Sequence, residues 1–301
     1  MTTYSLNAPA KINLWLRVLG RREDGFHALE TRLAPLTLCD RLTLRADAGL
    51  ASGNIGFECD DPTVPGDESN LVLKAVRALE KTTGPLPGMR FSLTKRIPHG
   101  AGLGGGSSDA AAALRLVRAA FCPEVEEAVL FDAAAAVGSD VPFFLLGGMA
   151  DASGRGEIVT SVPPTEAKAD HGSVAPLPRV LLIKLPFGVA TPWAYKQWRN
   201  SLEVPGLPYA SQSTPWGELR NDLERPVFEK YPVLGLLKAR LLNAPGVTAA
   251  LMSGSGSTVF ALLEEDADTG PILHAVEDEA GEEYLSFDTR ISSAQEPVGI
   301  S

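Results

Sequence analysis

The sequence predicts an α+β protein, on three observations. Ile12, Leu14, Leu16 and Val18 alternate with Lys11, Asn13, Trp15 and Arg17, which marks a half-buried strand with one polar face. Five glycines crowd into the seven residues from Gly100 to Gly106, between a strand pattern and an alanine-rich helical one. The stretch 247–263 is apolar on both sides of Ser253-Gly254-Ser255-Gly256-Ser257, as in two strands joined by a tight turn. Helical and strand signals mix without strict β-α-β alternation, which is the pattern of α+β layers.

Along the chain, Arg21-Arg22-Glu23-Asp24-Gly25 reads as a turn after the first strand, because Asp-Gly is a strong hairpin signal. Two further strands are expected over 28–36 and 41–46. Ser69 is placed to cap a helix over 70–81, with Leu71, Val72, Ala75, Val76 and Leu79 on its inner side. Met89, Phe91, Leu93 and Lys95 alternate in another strand. Helices follow over 110–120 and over 124–137, the latter stopped by Gly138. The segment 163–178, rich in proline and small residues, is the expected divide between an N-terminal domain (1–162) and a C-terminal one (163–301). A buried strand is expected over 180–185. Thr191-Pro192 reads as an N-cap followed by proline in the first turn. Two helices are expected over 219–231 and 234–242. The last dozen residues carry no clear signal.

Bulk properties remove several function classes. A net charge of −10 argues against a broad nucleic-acid surface or an anionic membrane as partner. Three cysteines without short spacing form neither a disulfide framework nor a metal knuckle, and the four histidines are scattered. The first residues lack a basic region followed by an apolar one, and the longest uncharged apolar stretch, 141–150, is too short to cross a bilayer. A cytoplasmic protein is expected.

The chemistry concentrates in Pro98-His99-Gly100-Ala101-Gly102-Leu103-Gly104-Gly105-Gly106-Ser107-Ser108-Asp109. A glycine run opening a helix bares successive N–H groups at a positive helix end, which together cradle anions. Gly100, Gly102 and Gly105 satisfy the dinucleotide fingerprint, but no second apolar strand ending in an acid follows at the distance that fingerprint needs. The lysine of a Walker loop is missing, and so is the His-Arg-Asp of protein kinases. What remains is a loop that holds a triphosphate mainly by backbone.

This run resembles the central motif of the GHMP kinases. Four other blocks agree in order: Ala8-Pro9-Ala10-Lys11-Ile12-Asn13-Leu14, then Arg22-Glu23-Asp24-Gly25-Phe26-His27, then Gly138-Ser139-Asp140-Val141-Pro142-Phe143-Phe144, then Ser253-Gly254-Ser255-Gly256-Ser257-Thr258-Val259-Phe260. The resemblance implies a ribosomal-protein-S5-like N-terminal domain, a ferredoxin-like C-terminal domain and an active site in the cleft between them. ATP would be the donor, carried with Mg2+ whose ligands the sequence leaves unknown. The longer form Gly102 to Ser108 resembles the branch that phosphorylates the 2-hydroxyl of a cytidine-diphosphate conjugate of methylerythritol, on the non-mevalonate route to isoprenoids. Asp140 then falls where the family has its general base, assisted by Lys11, and the loop residues Pro98, Gly100, Ala101, Gly102, Leu103, Gly104, Gly105, Gly106, Ser107 and Ser108 fall on the nucleotide. The resemblance further implies that Asn70 and Lys95 contact the adenosine moiety, and that His27 hydrogen-bonds the cytosine ring. Tyr195 would stack on that ring. Phe26 stands where the family often has tyrosine, keeping the apolar face without the hydroxyl. Asn13, Thr191, Gly254 and Ser255 complete the expected acceptor side. A small-molecule substrate and a monomer or weak homodimer are expected. Asn221-Asp222-Leu223-Glu224 is similar to a further family block, and helix capping explains it equally well. Rival readings are a family member acting on homoserine, mevalonate or a sugar, a catalytically dead nucleotide binder, and a dinucleotide oxidoreductase.

Overall fold

The structure, a computed structural model, describes residues 2–163, 177–293 and 296–301. The expected divide at 163–178 lies for the most part outside the described residues. Among those described, two sheets face each other, one of nine strands and one of four.

The larger sheet is built on two long antiparallel strands, β1 (Thr3–Arg21) and β2 (His27–Ala46), joined by the turn at Asp24-Gly25. The two strands expected over 28–36 and 41–46 are thus one. The pairing carries on past Pro35 because β2 bulges there: Lys11 faces Pro35 and Pro9 faces Cys39, so four steps of β2 span two of β1. Beyond β2 lie β3 (Ile55–Cys59) and β4 (Met89–Thr94), with helix α1 (Leu71–Thr83) between them in the chain. α1 begins one residue later than expected: Asn70, not Ser69, is the N-cap, its Oδ1 accepting from Val72 N at 2.8 Å.

Helix α2 runs from Gly105 to Phe121, so the last glycines and both serines of the loop form its first turn rather than preceding it. α3 (Glu127–Val137) and α4 (Val141–Leu146) follow, separated by Gly138-Ser139-Asp140. The four helices bury Val76, Leu79, Leu114, Leu130 and Phe143 against Leu42, Leu44 and Phe91 of the sheet. A short hairpin, β5 (Ala150–Ser153) and β6 (Ile158–Ser161), pairs with β2 through Thr31, Arg32 and Leu33.

The smaller sheet contains β7 (Arg179–Lys184), flanked in the chain by helix α5 (Thr191–Gln197). Then come β8 (Gln212–Thr214) and β9 (Gly217–Asn221), which extend the larger sheet beside β1. A helix was expected from 219; instead Leu219 and Asn221 are buried while Glu218 and Arg220 are exposed, the period-two pattern of a strand. Helices α6 (Glu224–Lys230) and α7 (Pro232–Leu242) precede β10 (Val247–Met252) and β11 (Thr258–Leu263), the expected strand pair. Helix α8 (Thr269–Ala280) and β12 (Leu285–Arg290) complete the order β10-β11-β7-β12, all antiparallel. The polar tail is not featureless: β13 (Gly299–Ile300) pairs with β1 at Tyr4 and Ser5.

Between the sheets, Ala10, Ile12 and Leu14 of β1 pack with Leu182, Leu251, Phe260 and Leu262 of the second sheet. The alternation read in β1 therefore has both faces employed. Its apolar side seals the two halves together, and its polar side, Lys11 and Asn13, is buried against the cleft.

Candidate active site

A cleft of about 1450 Å3 opens between the larger sheet, the glycine loop and α5. Every residue expected to serve nucleotide, acceptor or catalysis lines it except Ser108, whose hydroxyl is buried inside the first turn of α2.

Three separate parts of the sequence meet at the glycine loop. Lys11 N donates to Leu103 O at 2.9 Å, and Ser253 Oγ donates to Gly102 O at 3.0 Å. Gly102 adopts φ +75°, and a Cβ there would stand 2.4 Å from Ser253 O. Only glycine permits that approach. The N-cap of α2 is Gly104, in the left-handed conformation with no side-chain cap, which leaves the first-turn N–H groups open to an anion.

Lys11 is 4% exposed. Its Nζ donates to Asn13 Oδ1 at 2.7 Å; Asn13 Nδ2 donates to Thr31 Oγ1 at 2.9 Å, and that hydroxyl donates to Trp15 O. This chain fixes the ammonium where it faces Asp140, Nζ to Oδ2 3.7 Å. Burial lowers the Lys11 pKa below the ordinary lysine range, more than the Asp140 charge raises it. Asp140 comes from the turn at the head of α4, where Pro142 in the first turn favours the helix start.

Asp40, Lys95 and Asp109 form a buried cluster beneath the loop. Lys95 Nζ pairs with Asp109 Oδ2 at 2.9 Å and with Asp40 Oδ2, while Asp40 Oδ1 accepts from Arg96 N and Ile97 N. A Cβ on Gly105 would approach Lys95 Nζ to 3.0 Å, so the ammonium sits directly under the first turn of α2. With two carboxylates for one cation, burial pushes the Asp109 carboxyl up to about 7, Lys95 opposing and Asp40 adding to the rise. Burial depresses Lys95, but the two carboxylates outweigh it and raise its pKa. Lys95 was expected on the adenosine; its ammonium is here committed to carboxylates at the cleft wall. Asn70 likewise lines the cleft while capping α1.

At the far end of the cleft, the His27 ring stacks on Tyr195 with centroids 5.5 Å apart and 27° between planes, and meets Trp198 edge-on at 6.5 Å. Burial, then the Arg21 charge, lowers the His27 pKa below the ordinary histidine range. Burial followed by the Asp140 charge raises the Tyr195 phenol. Phe26 is 54% exposed at the mouth. Thr191 is the first residue of α5 rather than its cap, and its hydroxyl shares a 2.8 Å hydrogen bond with Ser255 Oγ, closing the turn over the cleft. Gly254 adopts φ +56° beside Asn13 and Lys11.

Asn221 Nδ2 donates to Met252 O and Gly254 O at 2.8 and 2.7 Å, and its Oδ1 accepts from Leu223 N. It forms a turn just before α6, whose N-cap Leu223 has no side-chain cap, and ties that turn to the 253–257 turn. Glu224, paired with Lys238, accepts from Met252 N. Thr31, Asp40 and Trp198 carried no local signal, since each acts through contacts remote in sequence.

Residues 70–148 match the model described as GHMP kinases N terminal domain, and residues 211–283 match GHMP kinases C terminal. A relative from Methylacidiphilum infernorum, named 4-diphosphocytidyl-2-C-methyl-D-erythritol kinase, is 44% identical over 261 residues, which is 86% of this chain and 86% of the relative. The chain belongs to the GHMP kinases. A relative of this kinase from Chlorobium phaeobacteroides, with the same name, is 40% identical over 89% of this chain and 92% of its own length. Among solved structures, a 4-(cytidine 5'-diphospho)-2C-methyl-D-erythritol kinase superposes with a TM-score of 0.74 at 34% identity, covering 96% of this chain and all of the other. A homoserine kinase from Cytophaga hutchinsonii shares the fold, with a TM-score of 0.69 at 20% identity. The expected two-domain GHMP kinase fold is therefore the fold of this chain. Among the described residues no helix is long and apolar enough to cross a membrane.

Proposed function

We propose that this GHMP kinase transfers the γ-phosphoryl group of ATP to the 2-hydroxyl of 4-diphosphocytidyl-2-C-methyl-D-erythritol. The relatives at 34–44% identity over most of the chain bear the name of that kinase. The observation that carries the reading within the structure is one continuous cleft with an open helix N-terminus at one wall, an acid–cation pair at its centre and a histidine framed by aromatics at the other end. Those parts suit a triphosphate, a reacting hydroxyl and a nucleobase in that order.

The chemistry asked of the protein is positioning and charge compensation, because phosphoryl transfer leaves little covalent work to side chains. Asp140 accepts the proton of the attacking hydroxyl. Lys11, fixed by Asn13 and Thr31, steadies the oxygen as its charge develops. The N–H groups at the start of α2 receive the phosphates. Among the described residues no group of three His, Cys, Asp or Glu could hold a metal. Near the loop, Ser108 Oγ and Asp109 Oδ1 are buried without a hydrogen-bond partner among the described residues. Of the polar residues there, Ser107 and Asp109 line the cleft and would complete the shell of a Mg2+ carried in by ATP, an ion that keeps most of its ligands on phosphate and water. That ion supplies neutralisation of phosphate charge.

ADP release measured with the cytidine conjugate, homoserine and mevalonate side by side tests the reading. Turnover with the cytidine conjugate alone is expected. Turnover with another acceptor would keep the kinase and discard the nucleobase end, and silence with all three from protein that binds ATP would favour a nucleotide-binding regulator.

A further inference from the structure

The turn between β5 and β6 brings one cation to the place where two parts of the acceptor site meet. The Arg155 guanidinium lies over the Phe26 ring, Cζ 4.9 Å from its centroid. The next residue, Gly156, packs against the catalytic turn: a Cβ there would stand 3.5 Å from Ser139 Cβ and 4.0 Å from Asp140 Oδ1. Arg155 thus bridges the aromatic end of the cleft and Asp140. A nucleoside-diphosphate conjugate laid from His27 to Asp140 must place its diphosphate along this stretch, because the diphosphate separates the nucleoside from the reacting alcohol.

The turn is rigidly placed. Gly154 O accepts from Leu29 N at 2.9 Å, two residues beyond His27, and Gly156 N donates to Ser153 O. Asp151 of β5 takes a bidentate pair from Arg32, at 2.8 and 2.9 Å. Glu157 Oε2 accepts from Arg155 N at 2.6 Å, and Glu157 Oε1 from its Nε at 3.4 Å. Both η nitrogens are left without a partner among the described residues, in a side chain that is 31% exposed and lines the cleft. A guanidinium oriented through Nε and stacked on a ring presents its η edge as a planar fork, the geometry that matches phosphate. Arg21, Lys196 and Arg199 also line the cleft, the last two next in sequence to Tyr195 and Trp198. In a chain of net charge −10 this local excess of cations marks a place for an anion.

We propose that Arg155 binds the diphosphate of the acceptor, its η nitrogens on the phosphate oxygens while its flat face caps Phe26. This rests on the reading that the acceptor is a cytidine-diphosphate conjugate. It assigns to a loop outside the recognised motifs the discrimination between a diphosphate-bearing acceptor and a bare nucleoside.

The test is calorimetric titration of cytidine and of CDP into the wild type and into Arg155→Ala and Arg155→Lys, with the ATP site filled by a non-hydrolysable ATP analogue. The analogue's own affinity reports that each variant is folded. CDP binding the wild type more tightly than cytidine is expected, with CDP affinity falling about 10- to 100-fold in Arg155→Ala, the range of a lost charge-assisted hydrogen bond. Cytidine affinity should stay within about threefold in the same variant, and Arg155→Lys should recover part of the loss. Equal losses for cytidine and CDP would overturn the assignment, since Arg155 would then act through Phe26 on the base. Intact CDP affinity with weakened analogue binding would also overturn it, placing the guanidinium on the ATP phosphates. A wild type that binds neither ligand would remove the nucleobase end itself, and the proposal with it.

Discussion

Lys11 Nζ and Asp140 Oδ2 stand 3.7 Å apart, yet the lysine side chain is 5% exposed and the carboxylate 40%. One partner is fixed in the protein and the other faces the cleft. Asn13 and Thr31 hold the ammonium, so it cannot swing into water, whereas Asp140 keeps an open edge for an incoming hydroxyl. A tighter pair would satisfy the carboxylate and blunt it as a base; a wider one would forgo the compensation of charge.

The pH dependence of the reaction should report Lys11. Burial, exceeding the pull of Asp140, lowers its pKa below the ordinary lysine range, so the folded state releases that proton before the unfolded chain does. Activity needs the charged form and should decline on the alkaline side before the ordinary lysine range is reached. Stability moves the other way: between the two pKa values the unfolded chain holds more protons, so the Lys11 contribution to stability grows as pH rises. A kcat/KM profile of Lys11→Arg, whose guanidinium stays charged, should lack this alkaline limb whatever its absolute rate. The same limb persisting in that variant would assign it to another group.

Two glycines of the loop should respond differently to alanine. Gly100 (φ +63°) has open space where a Cβ would go, so Gly100→Ala should cost only the left-handed strain, about 1–2 kcal/mol. Gly102→Ala adds a collision with Ser253 O at 2.4 Å and should push the loop from the 253–257 turn, at a further cost of about 1–3 kcal/mol. ATP affinity should therefore fall at least tenfold in Gly102→Ala and much less in Gly100→Ala. Equal effects in the two variants would mean the contact between loop and turn does not shape the nucleotide site.

Asp40 should be a stability residue with a secondary effect on ATP. It is fully buried and accepts from Lys95 and two backbone N–H groups. Asp40→Ala leaves the Arg96 and Ile97 N–H groups without an acceptor while Lys95 keeps Asp109, and each buried donor left unpaired costs about 1–3 kcal/mol. Denaturant unfolding should show that loss, with a weaker ATP affinity as Lys95 and the first turn of α2 relax. Wild-type stability would mean the cluster is hydrated in solution.

How far the sequence carried depended on whether a feature is local. The alternation from Lys11 to Val18, the glycine run and the two strands around Ser253–Ser257 are dictated by residues adjacent in the chain, and each was legible. The strand at Leu219–Asn221 was not, because its pairing partner is β1, some two hundred residues away. Neither was the continuity of β2, whose own bulge between Pro35 and Cys39 is absorbed only by its pairing with β1. Within the site, Lys11, Asp140, His27 and Tyr195 were named through a resemblance in spaced motifs, while Thr31 and Asp40 act only through partners that the fold delivers. Lys95 shows the converse. It was placed at the right wall of the cleft, but its ammonium is held by Asp40 and Asp109, a commitment visible only once three distant segments are packed together.

The most direct test of the account is turnover and ATP affinity measured together on Asp140→Asn, with the cytidine conjugate as acceptor. Turnover should fall by at least about 100-fold, the scale of a lost general base, while ATP affinity should stay within about threefold, because the proposed phosphate contacts are backbone N–H groups rather than the Asp140 carboxylate. Turnover close to wild type would contradict the assignment of Asp140 as the base and, with it, the arrangement built around Lys11.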